Sequence, residues 1–174
     1  MVLMRERCAD EFAEALKEAL DNGPSDKTRD ICCRTAGGAF VYAKNVDQGP
    51  HPATRAAACR APFWAIFYMK FVDKEAHPAT RAVCLTPRDA YSYAMHEGPH
   101  KATRKISCQS PKFGCLYAIN VDKKMTPETQ KAVEGDIGYS ILYYERLNNG
   151  WFPESLRKEL SQLSPSPLTV EMED

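Results

Sequence analysis

The chain has 174 residues, 44% of them hydrophobic and 26% charged, which is enough for one domain with its own core and excludes a disordered tail or a disulfide mini-protein. Lysine plus arginine number 23 and aspartate plus glutamate number 23. With a net charge of zero, no global field draws nucleic acid or anionic membrane to the chain, and any basic surface is local.

The longest mainly apolar stretch, residues 61–69, is far shorter than the roughly 20 residues a membrane-spanning helix needs. Arg5, Glu6 and Arg7 stand where a secretory apolar segment would lie, so a cytoplasmic location is expected. Seven cysteines without a CxxC pair fit reduced thiols better than a disulfide framework or a zinc site.

The first predicted element is an amphipathic helix over 7–21, with Phe12, Ala15, Leu16, Ala19 and Leu20 on one side. Residues 1–24 read as an N-terminal capping helix or degenerate repeat. Residues 25–152 hold five copies of one unit, anchored by Thr28, Thr54, Thr80, Thr103 and Thr129 at spacings of 26, 26, 23 and 26. Fourteen residues after each threonine stands Tyr42, Tyr68, Tyr117 or Tyr143, with Tyr93 at thirteen in the shortened third copy.

Before the threonines come Ser25, His51, His77, His100 and Thr126, followed by proline in three copies, the pattern of a helix N-cap with proline in the first turn. Each first helix is expected to run about ten residues, until Pro62, Pro87, Pro111 or the Gly37-Gly38 pair opens a second. That second helix has an apolar face, Ala39, Tyr42, Ala43 and Val46 in the first copy and Ala65, Tyr68, Met69 and Val72 in the next. A small residue opens each set (Ala39, Ala65, Ala90, Gly114, Ser140), while Ile31, Ala57 and Ile106 are the matching positions of the first helix. Asp47, Asp73 and Asp122 lie in the turns that follow. Residues 153–174 supply a C-terminal capping helix and a frayed acidic tail. The expected fold is all-α, an α-solenoid of five short helical hairpins capped at both ends, forming one structural domain.

The stretches VYAKNVDQGPHPATR, YAINVDKKMTPETQ and YYERLNNGWFPESL resemble the short helical-hairpin repeats common in tailed-phage and some bacterial genomes, over about residues 25–157. The resemblance implies the solenoid, carries no catalytic residues, and points to a phage accessory role. Gly37-Gly38 in place of the turn proline and the shortened third copy depart from that pattern.

Three columns bear on chemistry. His51, His77 and His100 share a register, but packed helices lie about 8 to 10 Å apart, too far for one zinc ion with ligands at about 2.1 Å. They read as caps and no metal is expected, with His96 a loop residue. Cys33, Cys59, Cys84 and Cys108 form a second column, read as small buried hydrophobes, with Cys32 and Cys115 less easily placed. No nucleophile with base and orienting partner is apparent, nor any nucleotide-binding, metalloprotease or hydrolase motif, so neither catalysis nor a cofactor is expected.

Arg29, Arg55, Arg81 and Arg104 form the third column, either a stripe for phosphates or an acidic partner, or internal partners of Asp47, Asp73, Asp122, Asp30 or Glu75. Phe63, Trp64 and Phe67 crowd one repeat, either docking a partner or filling space beside Gly37-Gly38. The arginine column and this aromatic cluster are the candidate partner-binding residues. A protein-binding scaffold, modulating a host protein or defence system, is the expected function, and nucleic-acid binding through the arginines is the alternative.

Overall fold

The computed structural model describes residues 2–163, with side chains from residue 9 onward, and these residues are helical without a strand. The expected acidic tail beyond 163 lies outside the described residues. The chain divides into two compact units, Met1–Ser107 and Cys108–Asp174, so the boundary falls inside the fourth repeat.

In the first unit, α1 (Val2–Asn22) is followed by the pairs α2 (Asp26–Cys32) and α3 (Ala36–Tyr42), α4 (Pro52–Ala58) and α5 (Pro62–Tyr68), and α6 (Pro78–Ala82) and α7 (Pro87–Glu97), then by α8 (Lys101–Ser107). The second unit holds α9 (Pro111–Tyr117), α10 (Pro127–Val133), α11 (Ile137–Leu147) and α12 (Glu154–Leu163). Within the units the second helix of each repeat packs on the first helix of the next: α3 on α4, α5 on α6, α7 on α8 and α9 on α10. The expected helical repeat is therefore present, with most first helices seven residues long instead of about ten.

Helices this short have little stability of their own, and caps compensate. Ser25 and Thr126 accept the N–H of Thr28 and Thr129 through their hydroxyls. His51, His77 and His100 do the same work with a ring nitrogen, Nδ1 accepting from Ala53, Ala79 and Ala102 at 3.3, 3.1 and 3.1 Å. The histidine column is thus a column of caps.

Two features were not legible in the sequence. Three second helices end in a π turn (Ala43–Asp47, Met69–Asp73, Ala118–Asp122), closed by Gln48, Lys74 or Lys123 in the left-handed region at φ 54°, 59° and 53°. In the third repeat α7 stays α-helical to Glu97 and ends at Gly98. Of the three residues missing there, one is lost between Thr80 and Tyr93 and two between Tyr93 and Thr103, where the π turn would stand.

The second feature is the tyrosine hydroxyl. Tyr68 is fully buried, and its hydroxyl lies 2.8 Å from Thr54 Oγ1 and accepts the His51 N–H at 3.0 Å, while Thr54 Oγ1 lies 3.1 Å from the His51 carbonyl. The tyrosine hydroxyl also lies 3.3 Å from that carbonyl. With one proton per hydroxyl, either the tyrosine donates to the threonine and the threonine to the carbonyl, or the threonine donates to the tyrosine and the tyrosine to the carbonyl. Both orders close a ring of hydrogen bonds around the cap residue. The Tyr42–Thr28–Ser25 and Tyr93–Thr80–His77 sets repeat it at the same 2.8 Å separation. In the second unit Tyr143 and Thr129 pair at 2.9 Å.

Around these rings sits the core. The small residues Ala39, Ala65 and Ala90 are fully buried. At Gly114 a Cβ would stand 2.6 Å from that of Ala132, so glycine there permits close helix approach. Four residues after each threonine, which is itself fully buried, stands a second fully buried residue: Cys32, Ala58, Cys84, Ser107 and Val133. Ile31 and Ile106, one turn position short of it, are only half-buried, and Leu20 of α1 is 57% exposed although Ala15 and Ala19 are buried.

Candidate interaction surface

The arginine column points inward. Arg29 Nη2 donates to Asp47 at 2.9 Å, and Arg55 grips Asp73 through Nε at 3.1 Å and Nη2 at 2.6 Å. Arg29 and Arg55 also lie over the rings of Tyr42 and Tyr68, 5.6 and 5.9 Å from the centroids. In the third repeat Arg81 Nη2 bonds Glu97, whose longer side chain replaces the π-turn aspartate, and Arg81 Nε is left without a partner. These bonds join the two helices of one repeat and do not use Asp30 or Glu75. The Asp73 and Glu97 side chains are 2% and 6% exposed, so the carboxylates are desolvated and the arginines neutralise them. The hydrogen bond to the carboxylate holds Arg29 and Arg55 above the ordinary guanidinium value, against the opposing effect of burial. Arg104 lies on α8, half-buried.

The described cysteines separate by burial. Cys32, Cys84 and Cys115 are fully buried, and burial pushes the first to about 11, the second to about 12 and the third to about 11. Cys33, Cys59 and Cys108, expected to be buried, are half-buried because they stand one residue beyond the core position. Burial also raises Cys33 and Cys59, which places none of Cys32, Cys33, Cys59, Cys84 and Cys115 in the range of an activated nucleophile. Among the described residues no group of three histidine, cysteine, aspartate or glutamate side chains is placed to hold a metal ion.

The aromatic residues divide between filling space and lying exposed. Trp64 fills space: its ring lies against Gly37, where a Cβ would stand 2.9 Å from Cζ2, and 5.6 Å from the buried Phe40. Gly38 is equally enclosed, a Cβ there falling 2.4 Å from the Cys32 carbonyl, so the glycine pair replaces the turn proline for packing reasons. Phe63 remains 57% exposed, 4.6 Å from Phe67 between ring centroids, and Phe67 continues to Phe71, 39% exposed, at 5.6 Å. Phe63, Phe67 and Phe71 at i, i+4 and i+8 make an exposed aromatic stripe along α5 and its π turn.

Beside the stripe, an apolar cleft of about 560 Å³ opens between α1 and the α2–α3 hairpin, lined by Ala9, Phe12, Ile31, Gly37, Val41 and Trp64. Arg34 and Thr35 also line it, and Arg34 pairs with Glu11 of α1. On the other side, Lys44 Nζ lies 5.3 Å from the Phe71 centroid and Lys70 Nζ 5.1 Å. Phe40, Phe71 and these lysines were not singled out in the sequence. Only the shared spacing of Phe63, Phe67 and Phe71 carried a signal for them.

No helix among the described residues is long and apolar enough to cross a membrane. Comparison with protein-family models, with curated proteins and with solved structures finds no match.

Proposed function

We propose that the protein is a non-enzymatic helical-repeat scaffold that binds another protein through the face around Phe63, Trp64 and Phe67. The observation that carries this reading is the exposed aromatic stripe continuous with an apolar cleft: such a surface is costly to leave in water and resembles the buried centre of protein interfaces. The inward pairing of Arg29, Arg55 and Arg81 weighs against the nucleic-acid alternative, because those forks are occupied by carboxylates of their own repeat. The resemblance to phage-borne repeats supports a cytoplasmic accessory role, modulating a host protein or defence system.

The test is a tagged pull-down from bacterial host lysate, with and without nuclease, using the wild-type chain and Phe63→Glu. Phe63 is exposed, so the variant is expected to fold. A stoichiometric protein that survives nuclease and is lost with Phe63→Glu supports the reading. Recovery of nucleic acid that disappears with nuclease or salt overturns it, as does a protein retained equally by the variant.

A further inference from the structure

The charges on the candidate surface are lopsided although the chain is neutral. Across α3, α5 and their π turns, residues 36–47 and 62–73, the charged side chains are Lys44, Asp47, Lys70 and Asp73. Asp47 and Asp73 are taken by Arg29 and Arg55, which leaves Lys44 and Lys70 as the exposed charges, and the next residue, Lys74, adds a third. Lys44, Lys74 and Phe71 line one groove of about 450 Å³. No carboxylate lines that groove; Glu75 and the Arg81-bound Glu97 line a neighbouring pocket that Lys70 and Lys74 also border. From Trp64 at the cleft, the rings lead through Phe67 at 6.0 Å and Phe71 at 5.6 Å to Lys44 at 5.3 Å. One strip thus runs from an apolar hole to a basic end.

Resting on the protein-binding reading, we infer that the partner presents an acidic amphipathic segment: a bulky apolar side chain enters the cleft beneath Trp64, and carboxylates of the same segment meet Lys44, Lys70 and Lys74. Charge complementarity argues for the acid. The cleft argues for a peptide over a nucleic acid, because its apolar lining accepts an aliphatic or aromatic side chain, while three lysines give few phosphate contacts. A helical ligand places anchors at i, i+4 and i+7, matching the progression along the strip.

The experiment measures fluorescence anisotropy of labelled peptides of about 16 residues, a helix length that spans such a strip. They carry leucine, phenylalanine or tryptophan at i, i+4 and i+7 and aspartate or glutamate at the other exposed positions. The comparators are the same peptides with lysine in place of the acids, and a single-stranded oligothymidine. Two variants accompany the wild type, both at exposed sites and both checked for an unchanged melting curve. Ala9→Trp fills the cleft from the exposed side of α1, and Lys44→Glu/Lys70→Glu reverses the basic end.

The expected result is saturable binding of an acidic peptide, about tenfold or more tighter than its lysine counterpart, and weakened about tenfold by each variant. Equal binding of acidic and basic peptides, or none of either, overturns the acidic partner. Binding untouched by Ala9→Trp overturns the cleft. Tighter binding of the oligothymidine replaces the peptide with nucleic acid. If peptides fail while lysate still yields a partner sensitive to Phe63→Glu, the interaction surface stands and the acidic segment falls.

Discussion

At Tyr68 the ring and the hydroxyl do separable work. The ring fills the space between helices, and its loss in Tyr68→Ala should cost about 3 to 5 kcal/mol, as for other buried aromatics. The hydroxyl completes the bonds of Thr54 and the His51 N–H. Tyr68→Phe keeps the packing but leaves the His51 amide without its acceptor and Thr54 with only its bond to the His51 carbonyl, so urea melts should show a loss of about 1 to 3 kcal/mol. The double variant with Thr54→Val should lose clearly less than the sum of the two single changes, since each breaks the same ring. Additive losses would mean the hydroxyls act independently. Threonine and tyrosine columns were both visible in the sequence, and the helix period correctly placed the tyrosines in the core. Period reports only which side a residue faces, so the bond between the two columns was hidden.

At the scale of elements, the hairpins and their caps were legible because N-cap residue and apolar period agree in every repeat and proline joins them in four of the five. The π turns were not. Their residues continue the apolar face of the helix, and nothing in YAKNVD distinguishes an i+5 bond from an i+4 one. What the wider turn achieves is the reach of Asp47 and Asp73 back to arginines eighteen residues earlier, and where it is missing a glutamate spans sixteen. The small-residue column shows packing overriding propensity. Alanine is the better helix former by about 1 kcal/mol, yet Gly114→Ala would push a methyl to within 2.6 Å of Ala132. Overpacking of that kind costs about 1 to 3 kcal/mol. The melting temperature of Gly114→Ala should therefore fall, whereas an exposed glycine-to-alanine change within a helix raises it, and a rise would mean the helices have room to part.

For the molecule as a whole, the absence of net charge directed the reading to local surfaces but could not locate one. The arginine ladder looked like the strongest electrostatic feature, and at Arg29 and Arg55 its neutralisation depends on carboxylates eighteen residues away that the π turns bring near. Lys44, Lys70 and Lys74 stand out only after that neutralisation. The buried thiols give the molecule a pH dependence with a definite sign. The ordinary cysteine value near 9 is raised to about 11 at Cys32 and Cys115 and about 12 at Cys84. Tyr68, Tyr93 and Tyr143 are raised as well, in each case chiefly by burial. The unfolded chain therefore releases these protons first. The stabilisation is complete below about pH 9 and is lost progressively as pH rises toward about 12. Urea midpoints should be flat from about pH 7 to 8.5 and fall beyond, with a shallower fall in Cys84→Ala once its lower baseline is subtracted. A midpoint unchanged up to pH 11 would mean that the thiols ionise as readily folded as unfolded.

The tyrosine that seals each cap also leaves a mark on solvent exchange. Backbone amides at the start of a helix have no carbonyl partner within it and ordinarily trade their hydrogen for deuterium quickly. The His51 and His77 amides instead donate to a fully buried phenol, at 3.0 and 3.2 Å. They should exchange as slowly as the helix interiors, spaced along the chain like the repeats, and Tyr68→Phe should release the His51 amide alone.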